Sequence, residues 1–235
     1  MKIYAFTAIL IFTMLIFASC NKDTQDVPSE TEPTVDTIYQ QYGTPFAGLP
    51  NTEDIVLYEV NLRAYSPGGD LQGVINRLDD IAELGVNVIW LMPIYPIGEV
   101  NSVNSPYSVK DYKAVSSEYG TLKDLRVLTK EAHSRGMAVI LDWVANHTAW
   151  DNEWIKNKSW YSQDASGNII HPPGTNWQDV ADLNFDNQSM RQAMREAMLF
   201  WVYQANIDGF RCDYADGVPF DFWHKAFQTI DTVPN

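Results

Sequence analysis

The sequence predicts an α/β protein built around a parallel β-sheet with helices on both faces. Three observations support this fold class. Four short segments are apolar almost throughout, which is typical of strands that are buried on both faces. Segments with a helical spacing of apolar residues separate them, and the two kinds of segment alternate along the chain. Two architectures fit this alternation, a doubly wound sheet and a (β/α)8 barrel.

The composition is that of a soluble globular protein with an acidic surface. The chain has 235 residues, of which 46% are hydrophobic and 20% are charged. Its 16 basic and 30 acidic residues give a net charge of −14. Such a surface disfavours nucleic acid and anionic membranes as partners and is compatible with a neutral ligand such as a sugar. We therefore expect no nucleic-acid partner.

Residues 1–20 predict an export signal. Lys2 supplies positive charge, residues 3–17 form an almost uninterrupted apolar run, and small residues precede Cys20. The run is short for a membrane-spanning helix, which needs about 20 residues. A cysteine at this junction resembles the bacterial lipobox, which implies cleavage before Cys20 and lipid on its thiol. The alternative is an ordinary signal peptide with an incidental cysteine.

Residues 21–50 predict a disordered tether between this anchor and a folded domain over residues 51–235. The segment is rich in Asp, Glu, Thr, Gln and Pro and has little apolar periodicity. An anchor followed by a tether predicts an exported protein that is attached to the membrane by lipid alone. It would lie on the periplasmic or the surface face of the outer membrane.

The folded part begins with two strands that are separated by a helix. Residues 55–60 are β-rich and predict the first strand. Apolar residues recur at helical spacing over 71–84, and Gly85 suits the position that ends this helix. Residues 86–91 are apolar nearly throughout and predict the second strand.

The second half of the domain repeats this alternation. Thr121–Asp124 resembles a capping box that opens a helix. The elements predicted from there are a helix to Arg135, a strand over 137–141, a helix around 190–201, a strand over 207–213 and a helix over 220–230. Residues 143–188 form a long excursion after the third strand. Loops of that length are usually functional or carry a small subdomain.

The excursion is rich in aromatic residues. They are Trp150, Trp154, Trp160, Tyr161 and Trp177. Aromatic rings in loops can stack on sugars, because they offer an apolar face with a polar handle. A long loop also needs packing of its own, and we expect most of these rings to form the core of a small subdomain.

Charged side chains stand at the ends of the third and fourth predicted strands. Asp142 ends the third strand, and His147 follows five residues later. Arg211 and Asp213 end the fourth strand and share one of its faces. Ligands bind at the carboxyl ends of parallel strands in both candidate architectures. A guanidinium beside a carboxylate favours the ionised acid, which is the form a nucleophile needs.

Spacing alone leaves other interpretations of these residues open. Arg211 and Asp213 fit a structural ion pair as well as a reactive site. A lone histidine such as His147 is more often a hydrogen-bonded, partly buried residue. Asp142, His147 and Asp213 also form a possible metal-ligand set. The sequence lacks the tight HxH or HExxH spacing that is typical of such sites.

Five segments, taken together and in order, resemble the α-amylase family of glycoside hydrolases. They are DWVANH at 142–147, similar to the family's DxxxNH motif; GFRCD at 209–213, similar to GFRxD; the strand-two signature at 88–95; the tyrosine loop at 105–112; and the short motif at 182–184. The resemblance implies a (β/α)8 TIM barrel. Only about the first four β/α units are visible, with the long excursion after strand three.

The resemblance also implies roles for the matched residues. Asp213 would be the catalytic nucleophile that forms a covalent glycosyl-enzyme, and Arg211 would hold it ionised and oriented. His147 and Tyr107 would bind the reacting sugar, with Asp142 as a supporting polar residue. The implied substrate is an α-glucan or a maltooligosaccharide.

No cofactor is implied for the chemistry, but a structural calcium ion is. Asn146 and Asp182 match positions that hold calcium in many family members, and oxygen ligands suit that ion. Many α-amylases carry Lys-His shortly after the nucleophile, where this chain has Asp216-Gly217. Strict endo-amylase action is therefore not implied. Short maltooligosaccharides, α-1,6 branches and other α-glucosides all remain as substrates.

Retaining chemistry needs a general acid about 5 Å from the nucleophile. The family places that Glu at the end of strand five and a further Asp at strand seven, both beyond Asn235. We therefore expect the 235 residues alone to have no useful hydrolase activity. Three alternatives remain: a non-catalytic carbohydrate-binding or transport-associated relative, an unrelated metal-dependent hydrolase, and a purely structural lipoprotein.

Overall fold

The computed structural model describes residues 39–233, and a parallel sheet lies at their centre. The strands are β1 (Leu57–Val60), β2 (Val88–Leu91), β3 (Ala138–Val144), β4 (His147–Ala149), β5 (Val180–Asp182) and β6 (Gly209–Asp213). β1, β2, β3 and β6 pair in parallel in that order, while β4 and β5 form an antiparallel pair in the excursion. The predicted signal peptide, Cys20 and residues 21–38 lie outside the described residues.

Helices follow the strands of the sheet and cover it. They are α1 (Leu62–Tyr65), α2 (Leu71–Ile75), α3 (Leu78–Glu83), α4 (Leu122–Ser134), α5 (Gln188–Ala205) and α6 (Phe220–Ile230), with short 3-10 turns at Thr52–Asp54, Glu153–Lys156, Lys158–Trp160 and Ala215–Gly217. The predicted capping box is present at the start of α4, where Thr121 and Asp124 exchange hydrogen bonds. None of the described helices is long and apolar enough to cross a membrane.

The single helix that we predicted over 71–84 is two helices, α2 and α3. Arg77, between them, has φ −126° and ψ 18°, which is not helical. Its guanidinium lies over the Tyr65 ring, 5.5 Å from the centroid. Gly73 and Asn76 are both weak helix formers, so little is lost where the chain turns. Two apolar residues of each helix are buried, which is why the sequence shows continuous helical periodicity; they are Leu71, Val74, Leu78 and Ile81.

The two inner strands, β2 and β3, form the centre of the core. Ile89, Leu91, Val139 and Leu141 are all 0% exposed. Every residue of β6 is only half-buried. The prediction of strands covered on both faces thus holds for β2 and β3, whereas β1, with Leu57 46% exposed, and β6 are only partly covered.

Residues 39–50 lie within the predicted tether but pack against the folded domain. Tyr42 N donates to Tyr203 O at 2.7 Å, at the end of α5. The ring of Phe46 stacks on His133 of α4 with a centroid separation of 4.5 Å. These contacts correct the predicted boundary at residue 51, because part of the tether belongs to the folded domain. Its polar composition concealed the few aromatic residues that anchor it.

Candidate active site

The carboxyl ends of β3 and β6 bring Asp142, Arg211 and Asp213 together. Asp142 and Arg211 are register partners across the two strands, as are Val144 and Asp213. Arg211 Nη1 donates to Asp213 Oδ1 at 2.8 Å and to Asp142 Oδ1 at 3.0 Å. One guanidinium therefore links two carboxylates at the edge of the sheet where the sequence predicts a ligand site.

Asp142 is a fully buried carboxylate with three side-chain donors. Besides Arg211, Trp90 Nε1 donates to its Oδ2 at 3.1 Å and Tyr107 Oη donates to the same atom at 3.2 Å. Burial raises the pKa of Asp142 to about 6, although the neighbouring Arg211 acts to lower it. Arg211 also lies over the Trp90 ring, 4.7 Å from the centroid. Trp90 thus contacts both members of this ion pair.

Asp213 is the carboxylate of this group that reaches an open cleft. The cleft has a volume of about 320 Å³ and is lined by Val103, Ser105, Tyr107, His147, Trp177, Asp179, Val180 and Asp213. The side chain of Asp213 is 23% exposed, against 0% for Asp142. Among the described residues its Oδ2 has no hydrogen-bond partner. A carboxylate that is oriented by an ion pair and reaches an open cleft is placed as a nucleophile needs to be.

His147 lies in the same cleft and is almost fully buried, at 3% exposure. Burial lowers its pKa to about 4, so the imidazole is neutral at neutral pH. Its ring meets the edge of Trp177 at a centroid separation of 5.6 Å. A neutral imidazole offers one donor and one acceptor, which suits the hydroxyl groups of a sugar.

Tyr107 forms the wall between this cleft and a second pocket. The second pocket has a volume of about 290 Å³ and is lined by Asn61, Leu62, Arg63, Met92, Pro93, Ser105, Pro106, Tyr107 and Tyr119. Burial raises the pKa of Tyr107, so its hydroxyl stays protonated and serves as a donor to Asp142. The ring of Tyr107 is thereby fixed in the wall of the cleft that Asp213 also lines.

The predicted calcium positions are neighbours in the β4–β5 hairpin. Leu183 N donates to Asn146 O at 3.1 Å, and Asp182 is the register partner of His147. Asn146 is 5% exposed and Asp182 is 9% exposed, and burial raises the pKa of Asp182. Calcium takes 6–8 oxygen ligands. Two side chains fit such an ion only if backbone carbonyls and water supply the rest.

A catalytic metal does not fit this arrangement. Arg211 occupies the space between Asp142 and Asp213, so the two carboxylates are bound to a guanidinium rather than free for a metal. Residues 39–233 contain no group of three or more His, Cys, Asp or Glu side chains that is placed to hold a metal ion. The set of Asp142, His147 and Asp213 is therefore not a metal centre.

Three side chains of the site were missed or underweighted in the sequence. Trp90 lies in an apolar strand, and nothing in the neighbouring sequence indicates a polar role. Its hydrogen-bond partner, Asp142, is 52 residues away in the sequence. Asp179 lies in a loop without periodicity. Most aromatic residues of the excursion pack in the main hydrophobic core and not in the separate subdomain that we predicted, for example Trp154 against Tyr112 at 4.9 Å. Trp177 is the exception, because it lines the cleft.

The sequence matches a family model described as alpha amylase, catalytic domain, over residues 16–169. The chain belongs to the α-amylase family of glycoside hydrolases. It is 33% identical to the probable oligo-1,6-glucosidase 2 of Bacillus subtilis over 199 residues, which are 68% of this chain and 34% of that relative. It is 32% identical to the trehalose-6-phosphate hydrolase of the same organism over 181 residues, 62% of this chain and 31% of the relative.

Solved structures of α-amylase-family proteins share the fold. A crystal structure of an α-amylase from Lactobacillus plantarum superposes with a TM-score of 0.72 at 40% identity, covering 76% of this chain and 42% of that one. The parallel sheet β1–β2–β3–β6 is therefore part of the α-amylase-type (β/α)8 barrel, which confirms the predicted fold class. The chain spans about a third of the length of these two Bacillus subtilis relatives.

Proposed function

We propose that this protein is a retaining α-glycosidase that acts on α-glucans or maltooligosaccharides, with Asp213 as its nucleophile. The observation that carries the proposal is that Arg211 Nη1 donates to Asp213 Oδ1 while Asp213 itself lines the cleft. The family of glycoside hydrolases to which the chain belongs, and the names of its relatives, support the substrate class.

In the first step, the free oxygen of Asp213 attacks the anomeric carbon of the bound sugar. A bond forms between them, the glycosidic carbon–oxygen bond breaks, and the leaving oxygen takes a proton from a general acid. In the second step, water gives a proton to the same acid group and displaces Asp213. His147 and Tyr107 line the cleft beside Asp213 and would hold the sugar hydroxyl groups during both steps.

Asp142 does not suit the role of the general acid. Its side chain is 0% exposed, and its oxygens accept hydrogen bonds from Arg211, Trp90 and Tyr107. It therefore cannot approach the leaving oxygen. We place the acid in barrel residues outside 39–233.

Two further properties belong to the proposal. We propose that the protein is exported and anchored at the cell envelope through lipid on Cys20, which the sequence of residues 1–20 supports. Labelled fatty acid should enter the wild-type protein and not the Cys20→Ser variant. We also propose that Asn146 and Asp182 hold a calcium ion that stabilises the fold and takes no part in the reaction.

The stereochemistry of the product tests the proposed reaction. The full-length protein is mixed with maltotriose, and the first sugar released is followed by proton NMR. We expect the α-anomer to appear first and the Asp213→Asn variant to release none. Release of the β-anomer first would contradict a retaining mechanism. Sugar binding without release would favour the non-catalytic relative instead.

A further inference from the structure

Asp179 places a second carboxylate on the wall of the cleft that contains Asp213. Both residues line the cleft, together with His147 and Trp177. Within residues 39–233 no side chain or backbone group donates a hydrogen bond to the Asp179 carboxylate, and no cation pairs with it. The proposed mechanism assigns no role to this group, so its presence in the cleft needs another explanation.

The backbone that carries Asp179 is held in place from both sides. The buried hydroxyl of Ser108 donates to Asp179 O at 3.1 Å. Trp150 Nε1 donates to the neighbouring Gln178 O at 2.9 Å. Val180, the next residue, is buried and begins β5. The carboxylate therefore stands at a defined position on the wall and not on a free loop.

The charge of the cleft is negative and is not neutralised nearby. Its lining residues include two carboxylates and no Lys or Arg. Arg211 is bound to Asp142 and Asp213. Arg63, which lines the adjoining pocket, is paired with Glu118 at 2.6 Å. An anionic group entering the cleft would thus meet like charge in a partly desolvated space.

We propose that Asp179 is a specificity residue that excludes phosphorylated glucosides from the cleft and admits neutral ones. Hydroxyl groups of a neutral sugar can donate to its free carboxylate, whereas a phosphate is repelled by it. The inference rests on the proposed function only in that the cleft binds a sugar. It does not depend on which residue performs the chemistry.

Binding of a matched pair of ligands tests this assignment. The probes are a sulfur-linked maltose analogue, which glycosidases do not cleave, and its 6-phosphate. Affinities are measured by calorimetry on the full-length protein and on the variants Asp179→Asn and Asp179→Lys. Asp186→Asn is the matched control, because it removes the same charge from an exposed position outside the cleft.

We expect the wild-type protein to bind the neutral analogue at least about tenfold tighter than the phosphate. The ratio of the affinity for the neutral analogue to the affinity for the 6-phosphate should fall to within about threefold in Asp179→Asn. In Asp179→Lys the 6-phosphate should bind more tightly than the neutral analogue. Asp186→Asn should leave the ratio unchanged. In the wild-type protein, added salt should also narrow the ratio, because screening weakens the repulsion. This last measurement needs no variant to fold.

An unchanged ratio in Asp179→Asn and Asp179→Lys, with neutral binding intact, would overturn the assignment. The assignment would also be overturned if the wild-type protein bound the 6-phosphate and the neutral analogue with equal affinity, or if it bound neither of them. If the ratio responds as expected but no sugar is released from maltotriose, the proposed hydrolysis fails while the role of Asp179 stands.

Discussion

Arg211 Nη1 donates to both carboxylate oxygens of Asp142, at 3.0 and 3.2 Å, and the two residues are also register partners on neighbouring strands. The strand pairing thus fixes the backbone of Arg211, and the ion pair fixes its guanidinium. Because the same nitrogen also reaches Asp213, the buried Asp142 positions the proposed nucleophile without touching the cleft.

Replacing Arg211 by lysine should greatly slow the reaction of Asp213. A lysine ammonium is a point charge on a flexible stem and does not reproduce the planar guanidinium that bridges the two carboxylates. We expect the rate at which an activated fluoro-glucoside labels the protein to fall by about 100-fold. Intact-mass spectrometry over time gives the rate. Arg135→Lys, in an exposed ion pair with Asp79, is the control and should label normally. Equal rates in both variants would contradict the role of Arg211.

Replacing Trp90 by phenylalanine should show whether Trp90 positions Asp142 and Arg211 or only fills space in the core. The ring over Arg211 is kept in part, but the donor to Asp142 Oδ2 is lost. We expect the free energy of unfolding to fall by about 1–2 kcal/mol, since a buried carboxylate loses a partner. We also expect labelling to slow by about tenfold, because Arg211 is less well fixed.

Trp201→Phe is the matched control for Trp90→Phe. Trp201 is fully buried and donates from Nε1 to Tyr112 O at 2.7 Å, away from the cleft. It should lose a similar amount of stability, measured by urea unfolding, and label at the wild-type rate. If the two variants slow labelling equally, the effect of Trp90 is structural and not one of positioning.

The pKa of His147 predicts a loss of stability in acid. In the folded protein burial lowers it to about 4 from an ordinary value of 6.5. Between these values the unfolded chain binds the proton and the folded protein does not. The contribution of His147 is therefore fully present above pH 6.5 and is lost as the pH falls through about 4. It amounts to about 3 kcal/mol at most.

His147→Gln should remove this pH dependence, as judged by urea unfolding between pH 7 and pH 4. Asp142 acts in the opposite sense, because its raised pKa of about 6 gives a contribution that is present below 3.8 and lost as the pH rises through about 6. The difference between wild type and variant isolates His147. His224→Gln, at an exposed position, is the control. An identical pH dependence in wild type and His147→Gln would show that the imidazole is not buried as described.

The calcium proposal predicts a stabilising effect that requires Asp182. Calcium should raise the melting temperature of the wild-type protein above its value in a chelator by roughly 4 °C or more, as binding to the folded state requires. Asp182→Asn should show little difference between the two conditions. Asp164→Asn, in an exposed hairpin of the same excursion, should behave as wild type. Equal melting temperatures of the wild-type protein in calcium and in chelator would contradict the proposed calcium site.

Much of the fold and part of the site were predictable because the signals are local. Apolar strands, the capping box at Thr121 and the alternation that puts Arg211 and Asp213 on one face need only a few neighbouring residues. The carboxyl ends of parallel strands then place Asp142 beside them. Family resemblance supplied Tyr107, His147 and the barrel.

The remaining features depend on contacts between distant parts of the chain. Trp90 reads as one more apolar residue of a strand until the register places its indole beside Asp142. The non-helical backbone of Arg77 accompanies a contact with Tyr65, which the periodicity of the sequence does not reveal. Asp179 is a candidate binding residue only because the fold places it in one cleft with residues that are distant in sequence.

Covalent trapping at Asp213 tests the central claim most directly. A 2-deoxy-2-fluoro-α-glucosyl fluoride carries a good leaving group, so its attack by a nucleophile needs little help from a general acid. After incubation and digestion, peptide mapping by mass spectrometry locates the added fluoro-sugar. We predict one label, on Asp213, that is absent from Asp213→Asn. A label on another residue, or none on a protein that binds maltooligosaccharides, would contradict the assignment of Asp213 as the nucleophile.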